Sequence, residues 1–241
     1  MITGKIGVVV FLVALSLAAQ SLRFDVASVK PADPDGSWQI SVPHGRFTAA
    51  NCTLLRLVRF AYDLQDHQIS GGPGWLDSAK FTIDATVDRA TVVPSGRAAY
   101  PVLRPMVRVL LAERFKFLAH TETREETVYN LIVDKGGSRL RQESEPGSLR
   151  IAKGELIGTG APMAFLVGQL SEQLGRPVID KTGLTAHYDF SLKWSPDPDA
   201  AETSGPSLFT ALQSDLGLKL QSTRAPVEIL VIDHAEKPEP N

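Results

Sequence analysis

Cysteine is almost missing from this sequence, which has a single one, Cys52, among its 241 residues. One thiol cannot form an internal disulfide, so the fold has to be held by its hydrophobic core even in an oxidising compartment. Cys52 comes just before a predicted helix, where the pKa of a thiol can be lowered. We nevertheless interpret it as a small buried side chain.

An excess of charge of one sign is missing too. The formal net charge is −2, which is too close to neutral to indicate binding to a nucleic acid or to an anionic membrane surface. We therefore expect no nucleic-acid partner.

Long hydrophobic runs are confined to the N-terminus. Lys5 is followed by an almost wholly apolar segment, Ile6–Leu17, and by the small-x-small pattern Ser16-Leu17-Ala18, which is typical of a cleaved secretory signal peptide. We assign residues 1–20 to that signal; a retained N-terminal anchor is the alternative. No later stretch reaches the roughly 20 apolar residues of a spanning helix. We expect an exported protein, periplasmic or extracellular, without a membrane span in the mature chain.

Motifs of catalysis are missing as well. The sequence contains no G-x-S-x-G, no H-E-x-x-H, no P-loop and no C-x-x-C. The five histidines lie without the spacing of metal ligands: His44, His67, His120, His187 and His234. We predict no catalytic residue, no metal and no cofactor.

What the sequence does contain is a repeat of itself. Residues 38–134 and 149–233 pass through the same order of hairpin, helix, strands, helix and strands. Corresponding positions carry residues of the same kind: Gly45 and Gly154, Phe81 and Tyr188, Phe115 and Leu218, Val128 and Val227. Because repeats determine architecture, we divide the mature chain into an N-terminal half, residues 21–143, and a C-terminal half, residues 148–241.

Each half begins with a hairpin and a helix. The hairpins are predicted over residues 38–50 and 149–158. The helices that follow have apolar side chains three or four residues apart: Leu54, Leu57, Val58 and Ala61, then Met163, Leu166, Val167 and Leu170. One apolar stripe per helix predicts that one side of it packs on a sheet.

Strict alternation predicts one half-buried strand in each half. The apolar residues of these two strands are Phe81, Ile83, Ala85 and Val87, then Tyr188, Phe190, Leu192 and Trp194. Period-two alternation places one face of a strand on the core and the other in water.

A second helix and a pair of strands complete each half. The helices are predicted at residues 103–111 and 208–216, and the strand pairs at 115–117 with 128–134, and at 218–220 with 227–233. The predicted fold class is α+β, with two tandem half-domains related by a pseudo-twofold axis. Each half-domain has antiparallel strands with two helices packed on one face.

Two corresponding loops are candidate ligand-binding segments. In the first half the candidates follow a short strand and are Gly71, Gly72, Pro73 and Trp75. The glycines and the proline give this loop an unusual path, and tryptophan often anchors interfaces. The counterpart in the second half contains Asp180 and Lys181. The alternatives are a tryptophan that closes the core and, in the second half, a plain turn.

Several longer sequence segments resemble those of a known protein family. They are FDVASVKP (residues 24–31), AYDLQDHQISGGPGWLDSAKFTIDA (61–85), LLAERFKFLAHTETREETVYNLIV (110–133) and RPVIDKTGLTAHYDFSL (176–192). Through them the chain resembles the acidobacterial soil-associated protein family, an exported domain of unknown function that is sometimes fused to a membrane metallopeptidase of the β-lactam-sensor type. The resemblance implies export and an extracytoplasmic sensing or binding role.

These observations favour a non-enzymatic binding or protein-interaction module of the cell envelope. Its partner would be an envelope protein or a small ligand. Two alternatives stay open: an extracytoplasmic hydrolase acting on cell-wall or polymer substrates, and an adaptor of an envelope assembly that uses exposed strand edges.

Overall fold

The computed structural model describes residues 23–32, 35–43, 46–88, 91–94, 96–195 and 205–239. The predicted signal peptide, residues 1–20, lies outside these ranges, as do His44 and Gly45. Within the described ranges, no helix is both long enough and apolar enough to cross a membrane.

Strands and helices alternate along both halves. The first half contains β1 (Phe24–Pro31), β2 (Gln39–Ser41), β3 (Arg46–Thr53), α1 (Leu54–Tyr62), β4 (Ile69–Gly71), β5 (Lys80–Val87), α2 (Tyr100–Phe115) and β6 (Leu118–Val133). The second half contains β7 (Arg141–Glu143), β8 (Ser148–Ala152), β9 (Glu155–Pro162), α3 (Met163–Leu174), β10 (Val178–Asp180), β11 (His187–Lys193), α4 (Leu208–Ala211) and β12 (Leu218–His234). β7 lies before the predicted boundary at residue 143, but it pairs with β11 and is therefore counted with the second half. The predicted α+β class is confirmed.

The described strands form an outer sheet in each half and a central sheet shared by both. The outer sheets have the strand orders β1-β5-β3-β2 and β7-β11-β9-β8, and the central sheet has the order β10-β6-β12-β4. The two outer sheets have the same strand order, because each strand number in the second sheet is six higher than the number at the same place in the first (7 − 1 = 6). The two halves therefore follow the same path through their outer sheets.

The strand pairs predicted after the second helices are wrong. In the second half both predicted strands belong to one long strand, β12; in the first half residues 115–117 end α2 and precede the long strand β6, which takes up 128–133. β6 and β12 pair antiparallel with each other, from Val133 with Leu218 to Leu118 with His234. We call this pair the central ribbon. Charged, exposed residues near its middle interrupt the apolar pattern, so each strand looks like two short ones in the sequence. The ladder partner is about a hundred residues away, out of reach of any local pattern.

The residues that end the second helix of each half show that one pair in the predicted alignment of the two halves is misaligned. Phe115 is the last residue of α2, whereas Leu218, its predicted counterpart, is the first residue of β12. The residues that correspond are Lys116 and Gly217 (217 − 116 = 101), which end the second helix of each half in the left-handed conformation, at φ 49° and 64°. A left-handed residue ends a helix because its amide turns back to the last carbonyls.

The second helix of the C-terminal half is shorter than its counterpart. α4 is a single turn that begins where Ser207 Oγ accepts a hydrogen bond from the Thr210 amide at 3.2 Å. It continues as a π-helical turn, Leu212–Leu216. This turn keeps both Leu212 and Leu216 buried.

The alternating strands bury the side chains that the sequence predicts. All eight apolar residues of β5 and of the segment at β11 are buried: Phe81, Ile83, Ala85, Val87, Tyr188, Phe190, Leu192 and Trp194. Cys52 is fully buried as well, and burial raises the pKa of its thiol to about 11. The interpretation of Cys52 as a small core residue is confirmed.

Each core contains residues of the other half. The core around Phe47, Ile83 and Leu103 includes Leu230 and Ile232 of β12. The core around Leu156, Leu166 and Leu192 includes Leu131 of β6. Both halves thus need the central ribbon to complete their packing.

The short strands of the central sheet also cross between the halves. β4 pairs in parallel with β12, and β10 pairs in parallel with β6. Each half therefore contributes a short edge strand to the long strand of the other half. This exchange brings the segment before β4 against α3.

Candidate ligand cleft

The C-terminal end of α1 and the segment after it contact α3 of the other half. Arg59 Nη2 lies 3.2 Å from Glu172 Oε1, and Gln65 Nε2 donates a hydrogen bond to the Gly168 carbonyl oxygen at 2.9 Å. We call this line of contact the seam. Arg59 can reach it because the apolar stripe of α1 turns Leu54 and Leu57 into their own core.

Three adjoining cavities open along the seam. The first, the aromatic groove, has a volume of about 370 Å³, the seam cavity about 670 Å³ and the rear cavity about 390 Å³. Asp63 lines both the aromatic groove and the seam cavity, and Gln65 lines both the seam cavity and the rear cavity. Each volume lies in the range of about 300–1,000 Å³ that is usual for small-molecule sites.

Aromatic side chains and guanidinium groups form the walls of the aromatic groove. The Arg56 guanidinium lies 4.2 Å from the ring centroid of Trp38. The rings of Phe60 and Tyr100 meet edge to face at 5.0 Å, and Ile40 and Leu64 complete the apolar lining. Cation–aromatic and edge-to-face contacts hold flat groups in defined orientations.

The charges of the aromatic groove are unevenly paired. Arg104 makes a two-pronged ion pair with Asp63, in which Nη1 lies 2.7 Å from Oδ2. Arg59 reaches both Asp66 at 3.3 Å and Glu172 at 3.2 Å. Arg56 has no carboxylate partner among the residues that the structure describes. One guanidinium is therefore left with donors for an added anion.

The rear cavity has a different polarity. Burial lowers the pKa of His67, against the opposing effect of Asp66 and together with that of Arg59, which favours the neutral form of its imidazole. Gln65, Gln68 and Ser171 are the uncharged polar residues beside it in the lining, and Asp180 is the one carboxylate among the described lining residues. This cavity offers hydrogen bonds rather than positive charge.

Metal ligands do not converge in the described part of the chain. No group of three or more histidine, cysteine, aspartate or glutamate side chains is placed there to hold a metal ion.

The candidate loop of the first half lies outside the cleft. Gly71 and Gly72 have φ values of 76° and 87°, and a Cβ on Gly71 would lie 2.9 Å from the Ile232 carbonyl oxygen. Glycine at this position lets the chain lie against β12. Trp75 packs edge to face on Phe81 at 6.1 Å, as expected of a tryptophan that closes the core. The linings of the three cavities do not include Gly71, Gly72, Pro73 or Trp75.

The candidate loop of the second half is a compact turn. Asp180 Oδ1 accepts hydrogen bonds from the amide and the hydroxyl of Thr182, at 2.9 and 2.7 Å. The Lys181 amide donates to the Leu131 carbonyl oxygen. Asp180 lines the rear cavity, and Lys181 lies outside its lining.

The central ribbon separates the two candidate loops. β4 pairs at Val231 and β10 pairs at Asn130, which faces Gln221. The two positions on β12 are ten residues apart (231 − 221 = 10), or about 34 Å at 3.4 Å per residue. The structure therefore does not bring the two predicted segments together.

The residues that line the aromatic groove are not predicted as a site by the sequence. Arg56 and Arg59 stand out only as polar residues beside an apolar helical stripe. Trp38 and Tyr100 are 62 residues apart (100 − 38 = 62), and no spacing rule connects them. A solvent-facing tryptophan near a pair of helical arginines is the one signal that could have suggested them.

Comparisons with known proteins place most of the chain in one family. Residues 55–235 match the family model described as "Protein of unknown function (DUF3738)". No curated protein and no solved structure matches the sequence.

Proposed function

The chain belongs to the DUF3738 family of proteins of unknown function, and we propose that it is an exported binding module whose ligand site is the aromatic groove. The proposed ligand is an organic anion with a flat or apolar body. The observation that carries this proposal is the Arg56 guanidinium on the Trp38 ring, beside an apolar lining and without a carboxylate partner among the described residues.

The geometry around Arg56 favours a carboxylate or a phosphate. A guanidinium presents its donors as a planar fork that matches these anions in two-pronged contacts. Stacking on Trp38 fixes the plane of the fork, so less side-chain freedom is lost on binding. A hydrogen bond to a charged group contributes about 1.5–3 kcal/mol, which is enough to select anions over neutral analogues.

The body of the ligand would lie against aromatic faces. Trp38 is 52 % exposed although it borders a cavity, and Phe60 and Tyr100 lie in the same lining. Apolar walls with a few directed polar groups are usual in ligand pockets.

The acidic groups of the groove support a binding role rather than a catalytic one. Asp63 is held by both terminal nitrogens of Arg104, and Glu172 is held by Arg59. Carboxylates in such two-pronged or charge-assisted pairs hold arginines in place, so both acidic groups serve to position the cationic wall of the groove.

Export is the second part of the proposal and is supported by the N-terminal pattern of Lys5, Ile6–Leu17 and Ser16-Leu17-Ala18. We expect mass spectrometry of the exported protein to find residues 1 to about 19 removed. An intact Met1 would favour the retained anchor.

Isothermal titration with matched pairs of compounds tests the groove. The pairs are N-acetylmuramic acid with N-acetylglucosamine, and indole-3-acetate with indole-3-acetamide, so that each anion has a neutral analogue. We expect at least one anion to bind and its neutral analogue to bind at least about tenfold more weakly, or 1.4 kcal/mol. Arg56→Gln should remove this preference, and Arg56→Lys should restore only part of it because lysine lacks the fork.

Lys135→Gln is the matched control, because Lys135 is an exposed cation in a turn away from the cleft. It should leave every affinity unchanged. Equal affinities of wild type and Arg56→Gln for the anions would contradict the proposed site. Turnover of a cell-wall substrate that Arg56→Gln leaves intact would favour the hydrolase instead.

A further inference from the structure

We infer that the seam cavity binds an extended acidic segment of a partner polypeptide, which adds as a strand to the free edge of β8. This inference rests on the proposed binding function but uses a different wall of the cleft. It names the class of partner, an acidic peptide in an extended conformation.

The first argument is the position of β8 in its sheet. β8 is the last strand in the order β7-β11-β9-β8, and its five residues pair with β9 on one side only. In the chain as described, no backbone partner faces the other side. An edge strand with unpaired amides and carbonyls is a template for an added strand.

The second argument is the cavity beside that edge. Ser148, Leu149 and Ile151 of β8 line the seam cavity, together with Phe165 of α3. Ile151 is 51 % exposed, which is unusual for isoleucine next to a recess of about 670 Å³. An added strand would turn alternate side chains into this recess, where they would cover Ile151 and Phe165.

The third argument is charge. Arg97 and Asp63 are the charged residues of the described lining, and Asp63 is already paired with Arg104. Arg97 is exposed, and no carboxylate within the described residues pairs with it. The wall of the seam cavity is therefore positive, and an acidic side chain on the added strand would complement it.

Charge also argues against a second copy of this chain as the occupant. A symmetric antiparallel pair of two β8 strands, Ser148–Ala152, would place Arg150 opposite Arg150. Glu155 contacts Arg150 at 3.0 Å, but it is shared with Lys193 at 3.1 Å, so each of the two facing clusters keeps a net positive charge. Like charges directly opposite each other destabilise a strand pair. An acidic peptide meets the same edge without this repulsion.

Fluorescence anisotropy with synthetic octapeptides tests the inference. The probe repeats Glu-Thr-Val-Thr, so that glutamate and valine share one face of the strand; it carries a fluorophore and has blocked ends. The control peptide has lysine in place of each glutamate. We expect the acidic peptide to bind and the basic peptide to bind at least about tenfold more weakly. Arg97→Gln should lower the affinity for the acidic peptide about tenfold, whereas Lys135→Gln should leave that affinity unchanged.

Backbone methylation tests the strand addition itself. Two further acidic peptides carry N-methyl groups on their odd or on their even residues. An added strand turns only every second amide toward the edge, so one series should lose binding and the other should stay within about threefold. Equal effects of the two series would overturn the inference.

The remaining outcomes separate this inference from the proposed function. Arg56→Gln should abolish the preference for small anions but leave the affinity for the acidic peptide within about threefold of the wild-type value. Binding of indole-3-acetate without binding of the peptide would overturn the inference and leave the proposed function standing. Concentration-dependent dimerisation that the peptide does not disturb, or equal binding of an acidic oligosaccharide, would also overturn it.

Discussion

At the scale of single residues, the cleft is shaped by guanidinium groups that lie on aromatic rings. Arg56 lies 4.2 Å from the ring centroid of Trp38, and Arg104 lies 5.7 Å from that of Tyr100, both pairs in the lining of the aromatic groove. Each contact contributes about 0.5–1 kcal/mol at an exposed site. Their larger effect is to orient long side chains that would otherwise move freely, which matters most for Arg56 because no carboxylate in the described part of the chain holds it.

Gly158 is a position where the surrounding side chains leave no room for a larger residue. A Cβ on Gly158 would lie 2.4 Å from Phe190 Cε1, inside the second core. Gly158→Ala should therefore destabilise the protein by about 1–3 kcal/mol through overpacking. Urea denaturation measures this loss. Gly136→Ala is the control, because a Cβ there has no neighbour within 4 Å. Equal stabilities of the two variants would mean that Phe190 does not occupy this position.

His120 should make stability depend on pH. Its Nδ1 lies 2.9 Å from Asp233 Oδ1 and its Nε2 lies 3.1 Å from Glu122 Oε1. The hydrogen bonds to Asp233 and to Glu122 raise the pKa of His120 above its ordinary value of 6.5. A raised pKa in the folded state stabilises it fully below pH 6.5, and this stabilisation is lost as the pH rises through the raised pKa.

The urea midpoints of wild type and His120→Gln should therefore differ most at acidic pH and converge at alkaline pH. Asp233→Asn should remove most of the same pH dependence. The effect should be small and should shrink in salt, because the pair is exposed. A difference that grows as the pH rises would contradict the assignment.

At the scale of elements, α1 is the helix that connects stability to the cleft. One side of it packs in the first core, and the other presents Arg56 and Arg59 to the aromatic groove. Its first turn is held by Thr53, whose Oγ1 accepts a hydrogen bond from the Arg56 amide at 3.3 Å. The cap therefore determines where the backbone of Arg56 lies.

Replacing this cap should weaken both the fold and the binding. Thr53→Val keeps the volume of the side chain but removes the acceptor, and it should cost about 0.5–2 kcal/mol of unfolding free energy. It should also lower the affinity of small anions, because the first turn of α1 frays. Thr53→Ser keeps the acceptor and should lose less of both. Thermal denaturation measures the stability of both variants. Equal losses of stability in Thr53→Ser and Thr53→Val would contradict the capping role of the Thr53 hydroxyl.

At the scale of the whole molecule, the central ribbon joins two halves that cannot complete their cores alone. Leu230 and Ile232 of β12 lie in the first core, and Leu131 of β6 lies in the second. The parallel strands β4 and β10 cross between the halves in the same way. Residues of both halves line the seam cavity and the rear cavity, and Glu172 adds the second half to the aromatic groove.

Separated halves should therefore fold only together. We expect fragments 23–138 and 139–239 each to lack a cooperative thermal transition, since each leaves both edges of its long strand, β6 or β12, without the strands that the other half supplies. Mixed in equal amounts, they should form a one-to-one complex with native circular dichroism. Size-exclusion chromatography of each fragment and of the mixture measures this. A cooperative transition in either fragment alone would show an independent domain.

The sequence by itself determined the features that depend on neighbours along the chain. Alternation predicts the buried face of β5, from Phe81 to Val87, and the helical stripe of α1 predicts its core side, because both patterns follow from the local backbone period. The same reasoning fails at β6 and β12. A polar stretch with charged residues interrupts the apolar pattern there, so the sequence predicts two short strands where the structure has one long strand. Only the tertiary structure decided that these strands pair, that β4 and β10 cross over, and that Trp38, Arg56 and Tyr100 line one groove. Those arrangements join residues tens to a hundred positions apart, and the free energy that selects them comes from packing between segments, which leaves no period in the sequence.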